Sequence, residues 1–357
     1  MDQAVLEPVR ASNPDEVFQR AQDLIKDQKH EAALPVLEEA VALAPENGSY
    51  RIVLAYYLFR FGEIARAMAH LDTAITQADD PSSILELKAK LMGDWHTHMP
   101  AFFQGAHAPE RQVYMSAAMH AAHSPGETFE LLEIGSFAGA SLITWPNTVE
   151  KLLNVDCRVD CIDPWGDFGA DFYPDTMTVA LENNRAFQVF RHNMSRCHER
   201  LEVTAHRGTS RTILPSLQER RFDMIYIDGS HHYADVRFDI TACTPLLKTG
   251  GIICGDDLEL QVGACDRRFV MEHKESDLVQ DPRSGVWFHP GVSLAVGECL
   301  GEVSTFRGFW AMRKSGDGFE KLSLKDATGI FPRHWPEKFH GQIYRHFEKL
   351  DEIARMI

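Results

Sequence analysis

The stretch from Phe222 to Glu259 reads as a strand, a loop, a helix, a turn and a second strand. The run MIYI is apolar and favours a strand, and Asp228 and Gly229 end it. Apolar residues then recur at helical spacing from Tyr233 to Leu247, and the TGG sequence at 249–251 ends that helix before the strand IICG. Strands joined through a helix in this way are parallel, so this unit predicts an α/β fold.

The same unit gathers polar side chains at one edge of the predicted sheet. Asp228, Ser230 and His231 follow the first strand, and Asp256 and Asp257 follow the second. A right-handed crossover places the carboxyl ends of both strands at the same edge, where open α/β sheets bind their ligands. We therefore expect these five residues to lie close together.

Composition narrows the class of protein. A chain of 357 residues with 44% hydrophobic residues is long enough for about two packed domains. No apolar run approaches the roughly 18 residues of a membrane helix, and the start MDQAVLEPVR lacks the regions of a signal peptide. Seven scattered cysteines without a CxxC predict a reduced, cytoplasmic protein, and the net charge of −16 argues against a nucleic-acid partner.

An internal repeat occupies the N-terminal part, which we predict to be a helical domain over 14–92 after a tail of 1–13. At an offset of 34 residues, alanines and leucines coincide in the pairs Ala21 and Ala55, Leu24 and Leu58, Ala33 and Ala67, Leu37 and Leu71, and Ala40 and Ala74. Small residues at these points let paired helices approach closely, which resembles a tetratricopeptide repeat. Two repeats are few for a self-sufficient stack, so we expect the segment to lean on a partner chain, on the C-terminal helix or on the catalytic domain. It either docks a partner or another copy, or is a packing cap without a ligand.

Two further segments flank the predicted catalytic domain. Residues 93–109 read as a linker and loop, where His96, His98 and His107 invite a metal hypothesis; lining the site entrance is the better use of this segment, because further ligands are not spaced nearby. Residues 319–357 read as a helical extension whose last helix is amphipathic, with both charge signs on its polar face. This pattern indicates a packing or dimer element and not a membrane binder.

The segment FELLEIGSFAGASLITW is a second informative stretch. The strand LLEI ends at Gly135, and Gly139 precedes a helix, so a ligand can lie against the backbone of the turn at the helix N-terminus. The next strand, RVDCID, ends in Asp163, and a carboxylate there can hold ribose hydroxyls or simply end the strand. LEVTAHRGTS supplies a third strand, and the long segment 164–195 between them reads as a lid or substrate-facing insertion followed by a helix.

Together, ExGxxxG after the first strand, an acid after the second, and DGSHHY followed by PLLKTGGIICGDD resemble a class I S-adenosylmethionine-dependent methyltransferase. The likeness is nearest to the macrocin, mycinamicin and noviose O-methyltransferases of antibiotic sugars and to cephalosporin hydroxylase-type proteins. It implies an α/β, Rossmann-like, mostly parallel sheet with an antiparallel closing strand over residues 110–318, preceded by the all-α repeats.

The resemblance also implies a cofactor pocket. Glu133, Gly135, Ser136, Gly139 and Ser141 would surround the methionine part of S-adenosylmethionine. Asp163 would hold the ribose, Ser210 would lie near the adenine, and Asp228 would lie at the pocket as well as at the metal.

In metal-dependent members of the group, the matching acids bind Mg²⁺, which here implies Asp228, Asp256 and Asp257. His231 would be the general base, with His232 as its rival. The chemistry agrees, because a divalent ion lowers the pKa of a bound hydroxyl and a neutral imidazole can take its proton. Some members carry a second acid where this chain has Ser230, and many DGxHxY proteins have no demonstrated metal, so the metal and the base are hypotheses.

Three functions follow from these residues. The first is a Mg²⁺-assisted O-methyltransferase that acts on a hydroxyl of a sugar or glycosylated small molecule. The second is a metal-independent methyltransferase that acts on nitrogen, a carboxylate or a phenol. The third is a non-catalytic, repeat-based interaction protein, against which the intact Glu133, Gly135 and Asp163 count. We expect a homo-oligomer, with a protein partner at the repeats as a further possibility.

Overall fold

The computed structural model describes residues 13–79, 84, 87–88, 109–139, 141–166, 185–194, 199–306 and 308–323. Most of the predicted tail, the linker with its three histidines, residues 167–184 of the insertion and the amphipathic C-terminal helix lie outside these residues. Within the described part, no helix is long and apolar enough to cross a membrane, and its six cysteines form no disulfide.

Four helices form the N-terminal domain: α1 (Pro14–Lys26), α2 (His30–Leu43), α3 (Gly48–Arg60) and α4 (Ile64–Gln77). Asn13 caps α1 and Asn47 caps α3 by accepting hydrogen bonds from backbone N–H groups of the first turn. The alanines matched by the repeat are all fully buried at the helix contacts. The repeat therefore produces the two predicted helical hairpins.

The turns inside the two hairpins repeat as well. Gln28 and Gly62, 34 residues apart, both take positive φ, at 62° and 79°. The N–H of Lys29 donates to the carbonyl of Leu24, and that of Glu63 to the carbonyl of Leu58, each at 2.8 Å. One repeat uses glycine for the left-handed residue and the other accepts glutamine there.

The second domain is built on an eight-stranded sheet. Its strands are β1 (Phe129–Ile134), β2 (Cys157–Asp163), β3 (Leu201–Arg207), β4 (Phe222–Ile227), β5 (Leu247–Leu258), β8 (Ser304–Phe306), β9 (Gly308–Ser315) and β10 (Gly318–Lys321), while β6 (Val279–Gln280) and β7 (Trp287–Phe288) form a separate hairpin. The helices are α5 (Pro109–Ala122), α6 (Ser141–Thr148), α7 (Arg185–Met194), α8 (Ser210–Ile213), α9 (Tyr233–Cys243), α10 (Arg267–His273) and α11 (Pro290–Leu300).

The strand order is β10-β9-β5-β4-β1-β2-β3, with β8 paired to β9. Strands β3, β2, β1, β4 and β5 are parallel, and β9 joins β5 in the antiparallel sense. This is the predicted mostly parallel sheet with an antiparallel closing strand. The order reverses direction between β1 and β4, which is where such a sheet opens a crevice for a ligand.

Alternate residues of the strands pack on opposite faces of the sheet. On one face, Leu131, Val159 and Met224 pack with α5 and with Trp145 of α6. On the other face, Leu132, Ile225 and Ile253 pack with the apolar sides of α9 and α11. Because both faces are covered by helices, the central strands are rich in buried apolar residues, as is usual for parallel strands.

The predicted helix from Tyr233 is shorter than its periodicity suggested. It ends at Cys243, one 3₁₀ turn covers Thr244–Leu246, and β5 begins at Leu247. Pro245 lacks the N–H that an α-helix would need at that point, so the helical pattern ends before its last apolar residue.

The helical domain leans on the sheet domain. Ala138, in the turn after β1, is fully buried within the apolar core of the helices, and Phe137 also packs against that core. Of the three supports expected for the short repeat array, the structure shows the catalytic domain.

Candidate active site

The glycine turn, residues 135–139, follows β1. It lies at the point where the strand order changes direction between β1 and β4. Gly135 has φ of +88°, and a Cβ there would lie 2.0 Å from the carbonyl oxygen of Asp228. The N–H of Asp228 donates to the carbonyl of Ile134 at 2.8 Å. Only glycine fits, because its missing side chain lets the two strand ends approach.

Ser136 follows Gly135 and is 2% exposed. Its buried hydroxyl has no hydrogen-bond partner among the described atoms. A buried hydroxyl without a partner costs free energy, and the contact of Ser136 with a cofactor stays a prediction. The Ser136 hydroxyl is therefore a candidate hydrogen-bonding group for the predicted cofactor.

Glu133 is buried, with 1% of its surface exposed. Its carboxylate accepts hydrogen bonds from the hydroxyl of Ser141 and from Nε1 of Trp145, the latter at 3.0 Å. Burial raises the pKa of Glu133 to about 7 against the effect of these hydrogen bonds. Glu133 and Ser141, both predicted to bind the cofactor, therefore tie the start of α6 to β1, and direct contact with a cofactor stays a prediction.

Asp163 joins the ends of β1 and β2. One oxygen accepts from the N–H of Phe137 at 2.9 Å and the other from the N–H of Trp165 at 2.6 Å. Phe137 and Trp165 both have positive φ, 41° and 45°, which costs free energy in non-glycine residues. Burial raises the pKa of Asp163, and these backbone hydrogen bonds oppose the rise. The carboxylate holds both strained loops, and its predicted contact with a ribose stays a prediction.

Two further predicted cofactor residues are Gly139, at the end of the glycine turn, and Ser210, in the segment after β3. Gly139 has φ of +81°, and a Cβ there would meet Leu142 and Phe190 at 3.2 Å. Ser210 begins α8 and hydrogen-bonds Asp239, a buried carboxyl whose pKa burial raises to about 7. The adenine contact predicted for Ser210 stays a prediction.

The three predicted metal ligands lie at one edge of the sheet. Asp228 and Asp256 face Arg111, whereas Asp257 faces His231. Nη1 of Arg111, in the first turn of α5, contacts Oδ2 of Asp256 and lies 3.5 Å from Oδ2 of Asp228. The hydroxyl of Tyr226 donates to the same oxygen of Asp228 at 2.9 Å. Burial raises the pKa of Asp228 and of Asp256, and the Arg111 guanidinium opposes that rise in both.

Asp257 instead faces His231. Its Oδ2 lies 3.1 Å from Nε2 of His231, while Nδ1 of the same ring contacts Asp277. Burial alone would lower the pKa of His231, but the two carboxylates outweigh it and raise that pKa well above its ordinary value. In the same way His231 outweighs burial at Asp257, whose pKa lies well below its usual range. The two carboxylates therefore favour the charged imidazolium form of His231.

A second histidine joins this cluster. The ring of His289, which precedes α11, lies 4.3 Å from the ring of His231, and its Nδ1 lies 3.1 Å from Glu259. Burial lowers the pKa of His289, but the hydrogen bond to Glu259 and the charge of Asp257 outweigh it and raise that pKa.

Metal-binding potential differs from the prediction. In the described part of the chain, the groups whose ligand atoms all lie within 4.8 Å of one another are His231, Asp277 and His289, and Asp257, Glu259 and His289. Asp228, Asp256 and Asp257 are not among these groups; Arg111 contacts the first two, and His231 contacts the third. In this geometry the predicted trio does not fit Mg²⁺, which needs near-octahedral oxygen ligands at about 2.0–2.1 Å.

His232, the rival base, occupies the N-cap position of α9 without a capping hydrogen bond from its side chain. Its N–H donates to the hydroxyl of Ser230 at 3.2 Å. The structure brings His231 to Asp257 and leaves His232 at the helix start, as expected for neighbours that face differently.

Sequence reasoning missed Arg111, Asp277 and His289. Arg111 had a usable signal, because a cation in the first turn of a helix opposes the helix dipole and needs another reason to be there. Asp277 and His289 lie in the segment between β5 and α11, and no spacing in the sequence links them to His231.

Comparison with known proteins adds the family of each part. Residues 132–258 match the methyltransferase domain family. The chain therefore contains a methyltransferase domain. Residues 24–91 match the tetratricopeptide repeat family, so both parts of the predicted resemblance are confirmed. No curated protein sequence gives a significant match to the chain.

Solved structures similar to the methyltransferase include three named O-methyltransferases. They are CalS11, a TDP-rhamnose 3'-O-methyltransferase of calicheamicin biosynthesis (16% identity, TM-score 0.35, 71% of this chain and 95% of that one); an O-methyltransferase from Bacillus cereus in complex with S-adenosylhomocysteine (14%, 0.31, 62% and 77%); and TomG from Streptomyces achromogenes, involved in tomaymycin synthesis and in complex with S-adenosylmethionine (17%, 0.33, 64% and 89%). What those proteins methylate says nothing about the acceptor of this methyltransferase.

Proposed function

We propose that this methyltransferase transfers a methyl group from S-adenosylmethionine to a hydroxyl of a sugar or glycosylated small molecule. The observation that carries the proposal is the glycine turn at the switch point of the sheet, with the unpartnered Ser136 hydroxyl beside it. Polar, titratable residues from β4 and β5 meet at the same edge, as a reacting hydroxyl requires.

The residues of the turn fit the cofactor. Gly135 lets a ligand approach the backbone, Ser136 offers a buried hydroxyl, and Asp163 fixes the N–H groups of Phe137 and Trp165 in a strained but defined shape. S-adenosylmethionine, when bound, supplies a methyl group on a sulfonium that an oxygen nucleophile can attack. Because the turn already has this shape in the folded protein, less conformational entropy is lost when the cofactor binds.

His231, Asp257 and Asp277 would handle the proton of the acceptor. Asp277 holds Nδ1 of the ring, and Nε2 faces the Asp257 carboxylate. Once His231 has released the Nε2 proton to solvent, an acceptor hydroxyl that takes the place of Asp257 at Nε2 can pass its proton to this nitrogen as its oxygen attacks the methyl group. His231 is thus the proposed general base, and Asp257 and Asp277 set its protonation.

The predicted Mg²⁺ has no step in this proposal, because Arg111 occupies the space between Asp228 and Asp256. This observation favours the metal-independent alternative for the mechanism. An acceptor hydroxyl is still the proposed substrate, since the proton-handling unit would be idle with a carboxylate, which has no proton to lose at neutral pH.

The roles of the repeats and of self-association are proposals too. Two hairpins bury their own contact, and one end packs on Ala138 and Phe137 of the cofactor turn. We propose that the remaining helical surface binds another copy of the chain or a protein partner, and sedimentation of the full chain tests the first possibility.

Calorimetric titration of the purified protein with S-adenosylmethionine, with and without EDTA, tests the cofactor. We expect binding in both conditions, weakened by Ser136→Ala and unchanged by Ser216→Ala, an exposed serine after α8. Absence of binding in both conditions contradicts the cofactor assignment and favours a non-catalytic interaction protein.

Replacement of each histidine tests the base. We expect His231→Ala to lower kcat by about 10²- to 10⁴-fold, the usual contribution of a general base, and His232→Ala to leave kcat near the wild-type value. Candidate hydroxyl acceptors and radiolabelled cofactor provide the measurement. Full activity of His231→Ala with loss in His232→Ala would show that the choice of base is wrong.

A further inference from the structure

Arg111 is the cation that lies beside Asp228 and Asp256 in this structure. It reaches from the first turn of α5 to Asp256, at the end of β5, and to Asp228, at the end of β4. These strands are neighbours in the sheet, so one guanidinium bridges the two carboxylates that the family resemblance assigns to a metal.

The environment suits a guanidinium. The Arg111 side chain is 25% exposed and the Asp256 side chain 13%, so the contact is only partly open to water and is weakly screened. Tyr226 donates its hydroxyl to Asp228 and occupies a further lone pair of the oxygen nearest Arg111. A guanidinium stays charged at any physiological pH. Nη1 of Arg111 faces both carboxylates and lies closer to Asp256 than to Asp228.

The same arrangement opposes the binding of a divalent ion at this point. An ion between Asp228 and Asp256 would compete with Arg111 for these carboxylates and would lie beside its fixed positive charge. The third predicted ligand, Asp257, has its Oδ2 atom 3.1 Å from Nε2 of His231.

We infer that Arg111 takes the place of the metal ion: it is a built-in cation that holds Asp228 and Asp256, and the native protein does not bind Mg²⁺ through these carboxylates. Arg111 is a positioning residue, because it acts on the carboxylates and touches no reacting group in this structure. The inference deepens the proposed function, on which it rests only for the location of the active site.

Metal titration of the full chain tests the inference. EDTA-treated wild type, Asp256→Asn, Arg111→Ala and the double variant are titrated with MgCl₂ and with MnCl₂ by calorimetry. We expect wild type and Asp256→Asn to give the same isotherm, since a site elsewhere does not involve Asp256. Arg111→Ala, which frees the two carboxylates, should gain a site that binds Mn²⁺ at least about tenfold more tightly than wild type, a difference of about 1.4 kcal/mol. The double variant should lose that site.

Two outcomes overturn the inference: a wild-type site that Asp256→Asn removes, or a folded Arg111→Ala protein that gains no site. Comparison of wild type with Asp256→Asn decides the first outcome even if Arg111→Ala does not fold. Arg111→Lys keeps a cation and should titrate like wild type, which separates the effect of charge from that of packing. These titrations contain neither cofactor nor acceptor, so their result is independent of whether the proposed methyl transfer is found.

Discussion

His231 is held between two carboxylates, and this clamp controls when it can act as a base. Its pKa lies well above the ordinary value because Asp257 and Asp277 favour the charged ring more than burial disfavours it. A reaction that needs the neutral ring is slow at low pH and speeds up as pH rises through that raised pKa.

Removal of one carboxylate should move this dependence. In Asp277→Asn the charged ring loses one partner, so the pKa of His231 falls and the rising limb of the kcat profile shifts to lower pH. Asp317→Asn, in the exposed turn between β9 and β10, should leave the profile in place. Equal profiles for wild type and Asp277→Asn would exclude His231 as the group that limits the rate.

Glu133 should make stability depend on pH. Its pKa in the folded protein is about 7 and its ordinary value is 4.5. Between these values the folded state binds a proton that the unfolded chain has released, so the free energy of unfolding falls as pH rises.

Glutamine can replace Glu133 without this dependence, since its oxygen accepts from Trp145 and its amide donates to Ser141. We expect Glu133→Gln to gain stability relative to wild type between pH 5 and pH 8, by up to about 3 kcal/mol. Urea unfolding at several pH values provides the measurement. Parallel stability curves for the two proteins would refute a raised pKa at Glu133.

At the scale of elements, the repeated hairpin turn shows where backbone shape matters. Gly62 has φ of +79°, which a residue with a Cβ adopts only at a cost, whereas Gly48 lies in the first turn of α3 with open space around it. The backbone therefore requires glycine at position 62 and does not require it at position 48.

Replacement of each of these two glycines by alanine tests whether the backbone requires glycine at that position. We expect Gly62→Ala to lower the free energy of unfolding by about 1 kcal/mol, because a left-handed backbone is strained for alanine. Gly48→Ala should be neutral or stabilising by up to about 1 kcal/mol, since alanine favours helices. Chemical denaturation checks both, and equal effects would argue against the strained turn.

At the scale of the whole molecule, the glycine turn after β1 is also a contact between the two domains. Ala138 lies between Gly135 and Gly139 and is fully buried in the core of the helices. A change at this contact should reach both the stability of the protein and the binding of the cofactor.

Ala138→Leu tests that connection. Added methyl groups in a closed contact cost about 1–3 kcal/mol, so we expect lower stability and weaker binding of S-adenosylmethionine in the same variant. Ala234→Leu, on the exposed side of α9, is the matched control and should change neither. Loss of stability with normal cofactor affinity would show that the domain contact does not shape the turn.

Local pattern was sufficient for the elements and the fold class. The 34-residue repeat determined two helical hairpins, because small residues recur where helices touch. The apolar runs with their turn residues determined a parallel sheet, and its handed crossover brought Asp228, His231, Asp256 and Asp257 to one edge. All of these follow from interactions between residues close in sequence or from rules of chain connection.

The partners of those residues were decided only by tertiary structure. Arg111 comes to Asp256 from 145 positions away, and Asp277 comes to His231 from 46. Ionic pairs and pKa values depend on distance and burial in space, which no periodicity encodes. The sequence by itself therefore determined a methyltransferase edge with acids and a histidine, and the packing of α5 and of the segment before α11 decided which cation each acid holds.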